Sequence, residues 1–187
     1  ATLPDSLWKY LPSHGKLEPV LVTGSAESLE TSIRTALADL RRRLIRHPPK
    51  VLRQTKPGHD ALVALLDEHA NYLRQKGIAD GLLLVLDELG QNLRYAALHP
   101  SAGDISLLQR LGEKADRSGK KPFAVLALLH QAIGTYSADL DVTAKREWDK
   151  VAGRFKEVVF AQPIEQVVSL VAEMLGVRQA DLPPALQ

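Results

Sequence analysis

Cysteine is absent from the 187-residue chain, which excludes disulfides and any zinc site built on thiolates. Its absence fits a reducing compartment, and a cytoplasmic location is expected. No signal peptide and no apolar run long enough to cross a bilayer is present, so no membrane partner is expected. Charge of one sign is not in excess: 24 basic residues face 22 acidic ones, for a net charge of +2. That balance removes any argument for nucleic acid from charge alone. Internal repeats and low-complexity tracts are missing. The Gly-x-Ser-x-Gly turn of a nucleophile elbow is also missing, and His14, His47, His59 and His99 are scattered without metal-ligand spacing.

What is present is an ordinary globular composition, 45% apolar and 25% charged, in a length that supports one domain with a real core. The most informative stretch is Gly81-Leu82-Leu83-Leu84-Val85-Leu86-Asp87-Glu88-Leu89. Five consecutive apolar residues end abruptly in two carboxylates. A run this short, apolar on both faces, reads as a parallel strand covered by helices on either side. In open α/β sheets chemistry gathers at the carboxyl ends of the strands, and two acids there suit the handling of a metal and a water.

Residues 1–19 read as a lead-in broken by Pro4, Pro12, Gly15 and Pro19, with one short turn around Ser6 to Tyr10. Val20–Thr23 reads as a strand. Leu29, Ile33, Leu37, Leu40 and Leu44 then form a helical stripe, which Arg41, Arg42 and Arg43 close and His47-Pro48-Pro49 stops. Val51 to Gly58 is a basic connector. A second helix runs from about Asp60 to Lys76, with Leu62, Leu65, Leu66, His69 and Leu73 on one side and Gly77 as its cap. After the acid-tipped strand, helices are expected at Gln91 to Leu98 and Ile105 to Arg117. A strand at Phe123–Leu129 ends in His130-Gln131. A loop with Gly134, Tyr136 and Asp139 follows, then a helix around Thr143 to Val151 and a strand at Val158–Phe160. A last amphipathic helix opens at Pro163, and 181–187 is a tail. Alternating strands and helices predict a single α/β domain: a mainly parallel sheet of about four strands with helices on both faces.

The acid-tipped strand resembles the Walker B strand of P-loop NTPases, in the division that sets a catalytic glutamate beside the Walker B aspartate and includes the AAA-type ATPases. The run Leu83 to Tyr95 is also similar to large bacterial ATPases. The resemblance implies a P-loop-like fold that binds ATP and Mg²⁺, with Asp87 as the magnesium ligand and Glu88 as the activator of the attacking water. It implies a sensor at His130 or Gln131 and an arginine finger or sensor arginine at Arg154. It also implies that the strand carrying the phosphate-binding loop is inserted between the strands ending at Asp87 and His130.

The chain departs from the family in one respect. Gly-x-x-x-x-Gly-Lys-Ser/Thr occurs nowhere; the two Gly-Lys pairs, Gly15-Lys16 and Gly119-Lys120, lack both the upstream Gly and the hydroxyl residue. Thr23-Gly24-Ser25-Ala26-Glu27-Ser28 opens a helix but has no lysine, and Glu27 would repel phosphate, so it reads as a helix cap. A chain that starts at Ala1 is therefore expected to be a fragment of a larger ATPase, with other subunits of that ATPase as partners. Plainer readings stand beside each assignment. Asp87 and Glu88 serve as solvated acids closing a strand, His130-Gln131 as polar residues ending one, and Arg154 as the partner of a neighbouring acid. His69 reads as a hydrogen-bonded histidine at the core's edge, and Arg41–Arg43 as a solvated helix end that could also touch a phosphate backbone. Two classes result: the core of a Mg-dependent ATPase, or a non-catalytic α/β interaction domain.

Overall fold

The structure, a computed structural model, describes residues 16–158 apart from Gly103 and Lys120. The chain divides into two units, Ala1–Phe155 and Lys156–Gln187, and every element described belongs to the first. The order is β1 (Leu17–Thr23), α1 (Leu29–Leu44), α2 (His59–Gln75), β2 (Gly81–Asp87), α3 (Gly90–Leu98), α4 (Asp104–Asp116), β3 (Phe123–Ala127) and α5 (Val142–Ala152). Short 3₁₀ turns lie at Lys50–Arg53, Pro100–Ala102 and Ile133–Ser137. This is an α/β fold with a three-stranded parallel sheet. The expected strand at Val158–Phe160, the last helix, the lead-in turn and the tail fall at or beyond the edge of the described residues. Among the described residues no helix is long and apolar enough to cross a membrane.

The strands lie in the order β1-β2-β3, with Leu21 level with Val85 and Val85 level with Leu126. Both crossovers step in the same direction. Since parallel crossovers are right-handed, they stack their helices on one face of the sheet. Burial agrees: Val20, Val22, Leu82, Leu84, Leu86 and Phe123 are buried, while Leu83 and Val85 are only half covered. Leu21, Leu126 and Leu128 on the other face are 61%, 46% and 45% exposed. The expectation of helices on both faces is thus corrected for the described residues. Five apolar residues in a row do not distinguish a strand covered twice from one covered once.

β1 starts at Leu17, three residues earlier than the sequence suggests, and runs through Pro19. Proline reads as a breaker, but among the described residues β1 is an edge strand, where a missing N–H leaves no ladder bond unmade. Glu18, buried beside it, pairs with Arg43 at 2.8 Å.

α1, α2 and α4 pack against the strands, and α3 and α5 pack against α4 and the 3₁₀ turn at Ile133–Ser137. α1 buries Leu29, Ile33, Leu37 and Leu40, and Ser28 caps it by accepting the Thr31 N–H. α2 ends in a Schellman turn: Gly77 takes φ +66°, its N–H bonds the Arg74 carbonyl, and Ile78 N–H bonds that of Leu73. α4 is the centre of the helical layer, packing against α1, α2, α3, α5 and β3 through the fully buried Leu107, Leu108 and Leu111. Each such leucine contributes about 1.5–3 kcal/mol.

His69 is fully buried on α2. Its Nδ1–H donates to the Leu65 carbonyl at 2.7 Å, and Nε2 faces the Arg41 guanidinium at 3.4 Å. Arginine can only donate, so Nε2 is the acceptor and the ring is neutral. The hydrogen-bonded core histidine is what the structure contains.

Two predictions follow from this packing. Leu84→Ala on the covered face should lower unfolding free energy by about 2–5 kcal/mol, whereas Leu126→Ala on the open face should cost only about 0.5 kcal/mol. Urea titration of both variants checks this, and equal losses would mean that both faces are covered. His69 is held below the usual imidazole range, first by burial, with the Arg41 charge adding to it and the Leu65 bond opposing it. The unfolded chain therefore takes up a proton near pH 6.5 that the folded chain refuses. That contribution to stability is present above about pH 6.5 and declines as pH falls below it. His69→Gln should flatten the fall in Tm between neutral and mildly acidic pH, and an unchanged slope would show that other groups cause it.

Candidate functional site

All three strands end at one edge, and the chain is knitted together there beyond the regular ladders. Gly24 N–H donates to the Asp87 carbonyl at 2.7 Å, Leu128 N–H to the Leu86 carbonyl at 2.9 Å, and Leu89 N–H to the Leu128 carbonyl at 3.3 Å. Asp87 and Glu88 are held from both sides at the end of the central strand, with both side chains exposed. Glu88 adopts φ +51°, alone among the described non-glycine residues in the left-handed region. Such a residue carries strain on the order of 1–3 kcal/mol and persists only where its surroundings impose it. Here the β1 loop imposes it. A Cβ on Gly24 would lie 2.0 Å from the Glu88 carbonyl oxygen, so only glycine lets the two turns approach. The Glu88 N–H donates back to Asp87 Oδ1 at 3.0 Å, fixing that carboxylate.

His130 and Gln131 leave β3 at the same edge, on the strand next to the one bearing Asp87, and both are exposed. Four of the five residues singled out by sequence therefore share one edge. Arg154 does not join them. It pairs with Glu113 at 2.9 Å, near the C-terminus of α4, whose neighbour Lys114 lies over the ring of Phe123, the first residue of β3. That is the end where the strands begin. The plainer reading, an arginine paired with a neighbouring acid, describes Arg154.

The polar network under the edge was missed by the sequence reading. Glu27 Oε1 accepts from the hydroxyls of Ser25 at 3.0 Å and Ser32 at 2.9 Å. Asn92, fully buried, donates from Nδ2 to the Glu27 carbonyl at 3.0 Å and to Ser32 Oγ at 3.1 Å. Its Oδ1 is buried without a partner among the described residues. The signal was present: Asn92 interrupts the apolar stripe Leu89, Leu93, Ala96.

This network decides what the β1 turn can hold. Ser28 is an N-cap, and the Glu27 carboxylate occupies the mouth of the turn with serine hydroxyls already committed to it. The turn does not fit a phosphate. A magnesium ion fits better, since it is commonly held by one or two carboxylates with waters and substrate oxygens, and Asp87 is an exposed carboxylate with its orientation fixed. Among the described residues no group of three or more His, Asp or Glu side chains could hold a metal by themselves. Arg41 faces His69, Arg42 pairs with Asp39 and Arg43 with Glu18.

β2 and β3 are direct hydrogen-bonded neighbours, from Leu82 opposite Phe123 to Leu86 opposite Ala127, where the resemblance to P-loop proteins implies a strand between them. No family model, curated protein or solved structure matches the chain.

The geometry makes Gly24 the residue on which the edge depends. Gly24→Ala should push the β1 and β2 turns apart and destabilise the protein by about 1–3 kcal/mol. Amide chemical shifts of Asp87 to Leu89 should move with it. A variant with wild-type stability and unmoved shifts would show that the turns are not in contact.

Proposed function

We propose that the chain is the core portion of a Mg-dependent ATPase. In this reading it carries the Walker B and sensor elements and is inactive without a phosphate-binding loop from outside these 187 residues. Asp87 would hold the metal through water and phosphate oxygens. Glu88 would orient and polarise water, and His130 or Gln131 would face the same cleft. The observation that carries the reading is the pair Asp87-Glu88 at the carboxyl end of the central strand, with Glu88 forced into the left-handed conformation. Backbone strain at an exposed acid is a common property of functional sites and has no use in a strand that is merely closed by polar residues. The phosphate half of such a site is not supplied by the β1 turn. The direct pairing of β2 with β3 is, in this reading, how the sheet closes when the loop-bearing strand is elsewhere. Its partners would be nucleotide and other subunits of the same ATPase, with nucleic acid as a further candidate.

One observation favours the second reading, a non-catalytic interaction domain: the open sheet face carrying Leu21, Leu126 and Leu128 is apolar and exposed. Measurements on two forms of the protein separate the readings. The 187-residue chain alone should hydrolyse no ATP and bind Mg-nucleotide weakly at most. In a longer protein that supplies the loop, Glu88→Gln should cut turnover by roughly 10²- to 10⁴-fold with nucleotide binding intact, because the charge is lost and the shape is kept. Asp87→Ala should instead weaken the response to Mg²⁺. Near-normal turnover in Glu88→Gln would end the assignment of Glu88. A longer protein that binds no nucleotide would leave the interaction domain as the function.

A further inference from the structure

The net charge of +2 conceals an uneven distribution. Residues 41–57, the end of α1 and the connector to α2, hold seven of the chain's 24 basic residues and none of its 22 acidic ones. The rest of the chain is therefore net acidic. Arg41, Arg42 and Arg43 are engaged with His69, Asp39 and Glu18. Arg46, Lys50, Arg53 and Lys56 are exposed, and none of these four forms an ion pair among the described residues.

The four cations stand on a backbone that is already fixed. Leu52, between Lys50 and Arg53, is fully buried, and its N–H donates to the Pro49 carbonyl at 3.1 Å. Arg34 on α1 donates to the Lys56 carbonyl at 2.6 Å. Glu30, paired with that same arginine, accepts the Gly58 N–H at 2.9 Å. The connector is thus strapped back beside α1. Lys50 and Arg53 open and close a 3₁₀ turn, in which residues three apart lie on the same side, about 6 Å from each other. An ordinary solvated surface intersperses charges of both signs. Here cations of one sign are held together, where they repel one another, and no buried contact of theirs requires it.

We propose that this connector is a contact surface for the phosphate backbone of a DNA duplex, bound without regard to sequence through Arg46, Lys50, Arg53 and Lys56. Lysine and arginine neutralise phosphates and release their counterions, which supplies nearly all of non-specific binding. The segment contains no Phe, Tyr or Trp on which unstacked bases could lie, so a duplex suits it better than a single strand. A membrane is the poorer partner: Ile45 and Leu52 are buried, and no large apolar side chain of the segment is exposed to enter a bilayer. An acidic protein is poorer too, because protein interfaces are anchored on aromatic or apolar side chains that this surface lacks. The surface uses none of the residues at the strand edge, so it does not depend on the ATPase reading.

The test follows the fluorescence anisotropy of a labelled DNA duplex of about 20 base pairs, titrated with the full 187-residue chain at about 50 to 200 mM NaCl. Four phosphate contacts give log K a slope of about −3 to −4 against log salt, so affinity should fall roughly 100-fold across that range. A second duplex of unrelated sequence should bind equally. Arg46→Gln, Lys50→Gln, Arg53→Gln and Lys56→Gln combined touch exposed side chains only, and circular dichroism should show the wild-type fold. This variant should bind at least ~30-fold more weakly at low salt and lose most of the slope. Arg117→Gln, Arg146→Gln, Lys121→Gln and Lys150→Gln combined remove the same charge from exposed positions elsewhere and should cost about threefold or less. Four results overturn the proposal: no saturable DNA binding at low salt, equal losses in the two variants, tighter binding of a single strand, or binding of phosphatidylserine vesicles or poly-glutamate in place of DNA.

Discussion

The direction of the two crossovers governs this molecule. β1, β2 and β3 succeed one another in space in the order they occur in the chain, all parallel. Right-handed connections between them can then lay helices on one face only. Three consequences follow together. The covered face carries the core, running from Val20 and Val22 through Leu82, Leu84 and Leu86 to Phe123. All three strands release their chains at one edge, where the turns must share space. The other face keeps strand-type side chains, Leu21, Val85 and Leu126 in a row across the sheet, without cover from the described helices.

Crowding at the carboxyl edge accounts for the local chemistry. Three turns converge there, and the bonds Gly24 to Asp87 and Leu128 to Leu86 hold them in contact. Glu88 meets this crowding with a backbone conformation that a glutamate would not choose by itself, and Gly24 meets it by having no side chain. Beneath them Ser25, Glu27, Ser32 and Asn92 tie the β1 turn to α3. The result is an acid whose backbone is fixed while its carboxylate stays in water.

Much of this was legible in the residues, and the exceptions have identifiable causes. The helices were visible because their apolar spacing is regular and Ser28 and Gly77 stand in capping positions. β2 and β3 were visible as short apolar runs between polar flanks. Periodicity could not show how many faces of those runs are covered, because an apolar residue against solvent and one against a helix look alike in sequence. Pro19 hid the start of β1, since its tolerance there depends on β1 being an edge strand, a property of the assembled sheet. Among the candidate residues, Asp87, Glu88, His130 and Gln131 share an edge because parallel strands point their ends the same way, which the alternation of elements already implied. Arg154 was placed by the resemblance, from its position ahead of the expected strand at Val158–Phe160, and that says nothing of which end of the sheet a helix terminus reaches. Asn92 was overlooked as an ordinary polar residue. What distinguishes it is burial without full hydrogen bonding, which only coordinates reveal.

The direct pairing of β2 with β3 and the poor phosphate site at the β1 turn are linked. In the family that the acid-tipped strand resembles, the loop-bearing strand is inserted between these two, so its backbone supplies both the sheet's continuity and the anion cradle. Here β2 and β3 satisfy each other's ladder from Leu82 to Leu86, and the Leu89 N–H reaches across to Leu128 just beyond it. Inserting a strand would exchange one ladder for two, so the regular ladder from Leu82 to Leu86 loses nothing in hydrogen bonds by opening there. It would also separate the Leu128 carbonyl from Leu89, releasing part of the clamp that holds Asp87 and Glu88. The central strand's acids are therefore tied most firmly in the arrangement without an inserted strand. Entry of a strand there would loosen the turn that carries Asp87 and Glu88.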